Sequence, residues 1–214
     1  MNWLNRIIPG RSDAGDTGHP QHAALAAWRA LPDTDPGRPH FETRYVVVNT
    51  EASHLDLERT RLLSVAAIGV DGGRISAADS YYATLGDAPA DALQGLLGIA
   101  GKAPLVVFNA RFNRVLLERA FAAQFGLEPQ SIWLDLYVLL PALFPELNDH
   151  PVRLADWMAS FGIETFQRHH ALGDAWAIAQ LLLAVQARAQ QQGAGNARAL
   201  ADIERTRRQL WQLA

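Results

Sequence analysis

The stretch Arg44-Tyr-Val-Val-Val-Asn-Thr-Glu-Ala-Ser53 decides the fold. Tyr45 to Val48 is an apolar, β-branched run of the kind that forms a strand buried on both faces. It breaks into polar residues at Asn49, Thr50 and Glu51. In open α/β sheets, ligands bind in the crevice beyond the carboxyl ends of the strands. Asn49 and Glu51 are two apart, so on an extended chain an amide and a carboxylate project from one face. A strand that ends in a polar turn is the competing reading.

Outward from that strand, the pattern reads as three strands followed by helix-separated strands. Leu62 to Val70 suits a second strand, Asp71-Gly72-Gly73 is a hairpin signal, and Arg74 to Leu85 suits a third strand. The three predict an antiparallel meander. Residues 86–101 are expected to be helical from Pro89, and Pro104 to Phe108 forms another strand. Asn109 is placed to cap a helix over 110–125, with Phe112, Val115, Leu116 and Phe121 inward and Gly126 as its stop. Ile132 to Leu134 is a short strand ending at Asp135. Helices are expected over 135–143, over 152–161, and from near Leu172. Trp133, Trp157 and Trp176 read as core residues.

Three segments make up the chain. Residues 1–40 form a leader: an apolar patch at Trp3, Leu4, Ile7 and Ile8, a Gly-rich loop, and a helix over 20–31 that docks on the main domain. The main domain covers 41–187. Residues 188–214 form a helical tail whose Leu200, Ile203, Leu210 and Trp211 are expected to be buried, on the domain or against a second copy.

Composition narrows the function classes. The 214 residues are 49% apolar, enough for one sizeable core with an appendage. The formal net charge is -3, so no overall basic excess marks a nucleic-acid binder. Without cysteine there are no disulfides or thiolate metal sites. No apolar run approaches the roughly 20 residues that span a membrane, and no signal peptide is visible. The expectation is a cytoplasmic protein without a membrane partner.

Three segments then line up in order: Val-Val-Val-Asn49-Thr-Glu51 ends one strand, Phe108-Asn109-Ala-Arg-Phe112-Asn113 follows another, and His169-His170-Ala-Leu-Gly-Asp174 opens the last core helix. Together they resemble the DnaQ-like (DEDDh) 3′–5′ exonuclease family, relatives of the proofreading epsilon subunit of bacterial DNA polymerase III, over roughly residues 44–187. The resemblance implies a ribonuclease H-like α/β fold, with a mixed five-stranded sheet flanked by helices. It implies a hydrolase chemistry in which four carboxylates hold two divalent ions, Mg²⁺ or Mn²⁺, about 4 Å apart. A histidine serves as general base.

Carried over by position, the family's first two acids fall on Asn49 and Glu51, its third on Asn113 and its last on Asp174. Its histidine falls on His169. Thr50 and Asn109 are the expected substrate contacts, and Asp135 resembles a structural aspartate outside the site. Arg168 lies where it can meet a phosphate. Two of the four acids are amides here, which removes charge that two dications need. The segment 85–101 is shorter than the family's, which carries a substrate-contacting loop there, and Phe108 stands where many members have histidine.

The resemblance therefore implies one of two functions. The first is a degenerate metal site in a weak or inactive nuclease, a pseudoenzyme that binds nucleic acid or a partner. The alternative is an active metal-dependent 3′–5′ exonuclease releasing nucleotides from 3′ ends. The expected partners are a single-stranded 3′ end or a nucleotide, and a second copy or a protein at the C-terminal helix. On this reading, returning Asn49 and Asn113 to aspartate restores the chemistry.

Overall fold

Strand β1, Tyr45–Ala52, runs past the apolar segment and carries Asn49, Thr50 and Glu51 within the sheet rather than in a turn beyond it. The computed structural model describes residues 20–54, 56–127 and 129–213. The expected apolar patch at Trp3, Leu4, Ile7 and Ile8 and the loop after it lie outside the described residues.

β2, Leu62–Asp71, and β3, Arg74–Thr84, complete the antiparallel meander. They meet at Gly72 and Gly73, with φ of 56° and 71°, left-handed values that glycine adopts without steric cost. β4, Leu105–Val107, and β5, Trp133–Asp135, lie parallel to β1, in the order β3-β2-β1-β4-β5. The mixed five-stranded sheet is thus the one expected from the sequence.

Helices cover both faces. Alternation along β1 sends Tyr45 and Val47 into one core and Val46 and Val48 into the other, as a period of two requires. The second core is covered by α1 (Pro20–Ala30), α2 (Pro89–Ala100) and α3 (Ala110–Phe125). α1 docks as expected: Trp28 is buried, donates Nε1–H to Gly101 O at 2.7 Å, and lies under the Lys102 ammonium. The first core is covered by α4 (Leu136–Leu143), α5 (Leu154–Phe161), α6 (Ala171–Gln191) and α7 (Ala197–Leu213). Among the described residues, no helix is long and apolar enough to cross a membrane.

The tail packs only in part as expected. Leu200 is buried and Ile203 packs on the core, but Leu210 and Leu213 at the far end are exposed. Trp211 is half-buried beneath the Arg207 guanidinium. Trp157 is fully buried, while Trp133 and Trp176 are half-buried against the two cores.

A buried histidine fastens the link before β1 to the turn before α7. His40 Nε2 lies 3.0 Å from Ala194 O and can only donate to it, so Nδ1 accepts from the Tyr45 hydroxyl at 2.7 Å. Burial holds this ring below the ordinary histidine pKa, and the Ala194 carbonyl opposes it. As pH falls through about 6.5, the unfolded chain therefore takes up the proton before the folded one does, and stability drops. Thermal melts between pH 7.5 and 5.5 are expected to show a falling midpoint in the wild type and a shallower slope in His40→Gln. Equal slopes would contradict this account.

Candidate functional site

The site is assembled where β1 meets the first turns of α3 and α6. Asn49 and Glu51 face α6. Asn49 donates Nδ2–H to Ala171 O at 3.3 Å, and Glu51 Oε2 accepts from Ser64 Oγ at 2.7 Å. Ser64 is the cross-strand partner of Glu51, a neighbour that the register of β2 supplies and no motif announces.

Thr50 points the other way, with Val46 and Val48, and meets α3. Asn113 Oδ1 accepts from Thr50 N at 3.1 Å and from Thr50 Oγ1 at 2.8 Å. Its Nδ2 donates to Phe108 O at 2.9 Å and to Asn109 O at 3.1 Å. Asn113 is buried, and all four hydrogen bonds stay within the protein. It clamps the carboxyl end of β4 and the start of α3 onto β1. Two residues expected at the site bond to each other here. Thr50, expected to contact substrate, spends its hydroxyl on Asn113. Asn113, expected among the metal ligands, has its oxygen on Thr50, on the opposite side of β1 from Asn49 and Glu51.

Asn109 corrects a third expectation. It occupies the N-cap position of α3, but in the left-handed region with φ of 69°, and its side chain caps nothing. The free amides of the first turn are met instead by Asp135, whose two oxygens accept from Asn109 N and Ala110 N at 2.9 Å each. Asp135 also caps α4 through Tyr137 N at 3.0 Å and takes Arg208 Nη2 of α7 at 2.7 Å. Glu204 closes the network, accepting from Asp135 N at 2.8 Å and Arg208 Nε at 3.0 Å. Asp135 is thus a structural hub that joins the starts of α3 and α4 to α7. Phe108 packs edge-on against Tyr137, with centroids 5.5 Å apart.

The loop before α6 brings the remaining residues in. Thr165 Oγ1 donates to Gly173 O at 2.7 Å, and a Cβ at Gly173 would lie 1.8 Å from Gln167 O, so glycine is what lets this loop cross the helix so closely. His169 then turns with φ of 56°. Its side chain is exposed, and its main-chain amide hydrogen-bonds the Asp174 carboxylate. Arg168 Nη1 reaches Asp174 Oδ1 at 2.5 Å, so the arginine expected at a phosphate sits on a carboxylate. Burial pushes Asp174 above the ordinary aspartate pKa; Arg168 and His169 pull it down, and the Glu51 charge pushes it up again. The Glu51 charge is thus near enough to act on the Asp174 carboxylate. Among the described residues, no three His, Asp or Glu side chains converge as a metal-holding group.

Most of the segment 85–101 is helix α2. Only residues 85–88 separate β3 from α2, so no loop projects there.

No protein-family model matches the chain, and no curated relative does. Solved structures of E. coli exonuclease I do. The complex with a dA16 oligonucleotide matches with a TM-score of 0.55 at 18% identity, over 70% of this chain and 42% of that one. A zinc-bound exonuclease I–single-stranded DNA complex matches with a TM-score of 0.56, at the same identity and coverage. The complex of exonuclease I with SSB-Ct gives a TM-score of 0.51 at 17% identity. This chain therefore spans less than half the length of the exonuclease I chains it matches. At that identity the likeness concerns architecture, and architecture is what it shows: the chain has the ribonuclease H-like α/β fold that exonuclease I carries.

Proposed function

We propose that this chain is a DnaQ-like (DEDDh) protein, akin to the epsilon proofreading subunit, that binds the 3′ end of a single-stranded nucleic acid in the crevice between β1 and α6. We propose further that its metal site is degenerate, leaving weak or no hydrolysis. The fold and the bound oligonucleotides of exonuclease I support the first part. The hydrogen bonding of Asn113 carries the second.

Two-ion hydrolysis needs hard oxygen ligands with enough negative charge to offset two dications. A dication about 4 Å from a carboxylate gains roughly 8 kcal/mol at an effective dielectric of about 20, before desolvation. Each amide forfeits that term. Asn113 also withholds its oxygen, because Thr50 already occupies it twice. Asp174 has a cation of its own in Arg168, and Glu51 is engaged by Ser64. This donor set does not fit two divalent ions. His169 then has no acid cluster to work beside, and its role reduces to the turn that places Asp174.

Removing the internal cation should expose what remains. Arg168→Ala frees Asp174 to join Glu51 and is expected to raise Mn²⁺ affinity about tenfold or more in calorimetric titration. The wild type is expected to bind at most one ion, more weakly than micromolar. Two tight sites in the wild type would contradict the degenerate reading.

Strand binding is tested by fluorescence anisotropy with a 5′-labelled single strand, in EDTA and in Mg²⁺. Equal binding in both is expected. Binding that requires the metal and shortens the strand would favour the active exonuclease instead. Absence of binding in either would remove the nucleic-acid reading.

A further inference from the structure

We infer that Tyr82, His170 and Phe166 form a stacking platform for the bases of the single strand whose 3′ end lies in the crevice. The inference rests on the nucleic-acid reading above and adds where the bases sit.

Position comes first. Asn49 pairs with Ala66, and Ala66 with Tyr82, so the three form one row across β1, β2 and β3. Asn49 bonds to α6, and Ala66 belongs to the core on the α6 side, which puts Tyr82 on that face as well. Two strand spacings, about 10 Å, separate Tyr82 from Asn49. The platform is therefore the continuation of the crevice along the sheet.

The turn at His169 joins the two. It sends Arg168 back to Asp174 and His170 forward to Tyr82. The His170 and Tyr82 rings lie 4.7 Å apart at an interplanar angle of 30°, a close tilted pair. Phe166 joins the group, 6.5 Å from His170 at 58°. His170 Nδ1 has no hydrogen-bond partner, so ring contacts rather than a bond at that nitrogen hold the imidazole.

Core packing does not account for these rings. None of the three belongs to either core cluster, and Tyr82 remains 39% and Phe166 66% exposed. An aromatic surface beside the strand end suits bases, since every base presents a π-face that stacks on aromatic side chains.

The charges point the same way. Arg168 is neutralised by Asp174, the strand carries Glu51 and the loop Glu164, and the chain carries a formal net charge of -3. Affinity then comes from stacking more than from phosphate contacts, which fixes a second signature. A binder that neutralises few phosphates shows a shallow dependence of affinity on salt.

The test is anisotropy in EDTA with a labelled oligothymidylate and a strand of equal length whose bases are replaced by abasic sites. Tyr82→Ala and Phe166→Ala are each expected to weaken oligothymidylate binding about fivefold or more. Tyr82→Phe, which keeps the ring, is expected to bind as the wild type does. The abasic strand should bind the wild type weakly and lose nothing further in the variants, and the salt slope should correspond to about one or two phosphates. If both alanine variants, melting as the wild type does, bind like the wild type, the platform is overturned while the nucleic-acid reading stands. Equal binding of the abasic strand overturns it in the same way. If the wild type binds neither strand, the nucleic-acid reading falls and the platform with it.

Discussion

Asp135→Ala is expected to lower the free energy of unfolding by about 3–5 kcal/mol. Asp135 is 2% exposed and accepts four hydrogen bonds. Three come from main-chain amides at the starts of α3 and α4, which lose their only side-chain partner. Removing a cap costs about 1 kcal/mol, and stranding the buried Ala110 amide costs about 1–3 kcal/mol more. The Arg208 bond contributes less, because that side chain is 40% exposed and keeps Glu204. Urea unfolding reads the change. A loss under about 1 kcal/mol would show that water replaces the carboxylate, and the hub would not be one.

Asn113→Asp is expected to destabilise the fold by about 2–4 kcal/mol at pH 7 and to restore no metal chemistry. The amide nitrogen donates to two carbonyl oxygens, Phe108 O and Asn109 O. A carboxylate oxygen there would face both as an acceptor, buried and repelled. Burial and those carbonyls would raise the pKa of the new carboxyl group in the folded state. A folded pKa above the unfolded one means that the penalty shrinks as pH falls through it. Urea midpoints of wild type and variant are therefore expected to differ more at pH 7 than at pH 5. Asn49→Asp replaces an amide with one main-chain bond, on the same face as Glu51, and should cost less. The two amides of the motif are thus expected to respond differently to the same change. Asn49 lies in the crevice; Asn113 is part of the frame.

Why the sequence foretold one and not the other is a matter of range. The meander, the order of later elements and the helix stop at Gly126 follow from local signals: period-two alternation, glycine pairs, and residues that favour positive φ. The pairing of Asn49 with Glu51 follows from that same period. The Thr50–Asn113 bond joins residues 63 positions apart, and the Ser64–Glu51 bond depends on β2 register; neither is written in a local pattern. Asn109 misled because asparagine before a helix is an ordinary cap, yet here Asp135, across β4 and β5, reaches its first-turn amides first. Arg168 was legible as a cation near the crevice but not its partner, which the Gly173 crossing and the turn at His169 select together. Tyr82 carried no signal at all in the sequence, because its neighbour in space comes from a loop far along the chain.

The most direct measurement is a nuclease assay of the wild-type chain on a single strand labelled near its 3′ end, with Mg²⁺ and with Mn²⁺ in separate reactions. The account predicts a strand that is bound yet stays full-length, or is shortened only slowly, at protein concentrations that saturate it, with both metals. Rapid stepwise release that consumes the bound strand from its 3′ end with either metal would contradict it.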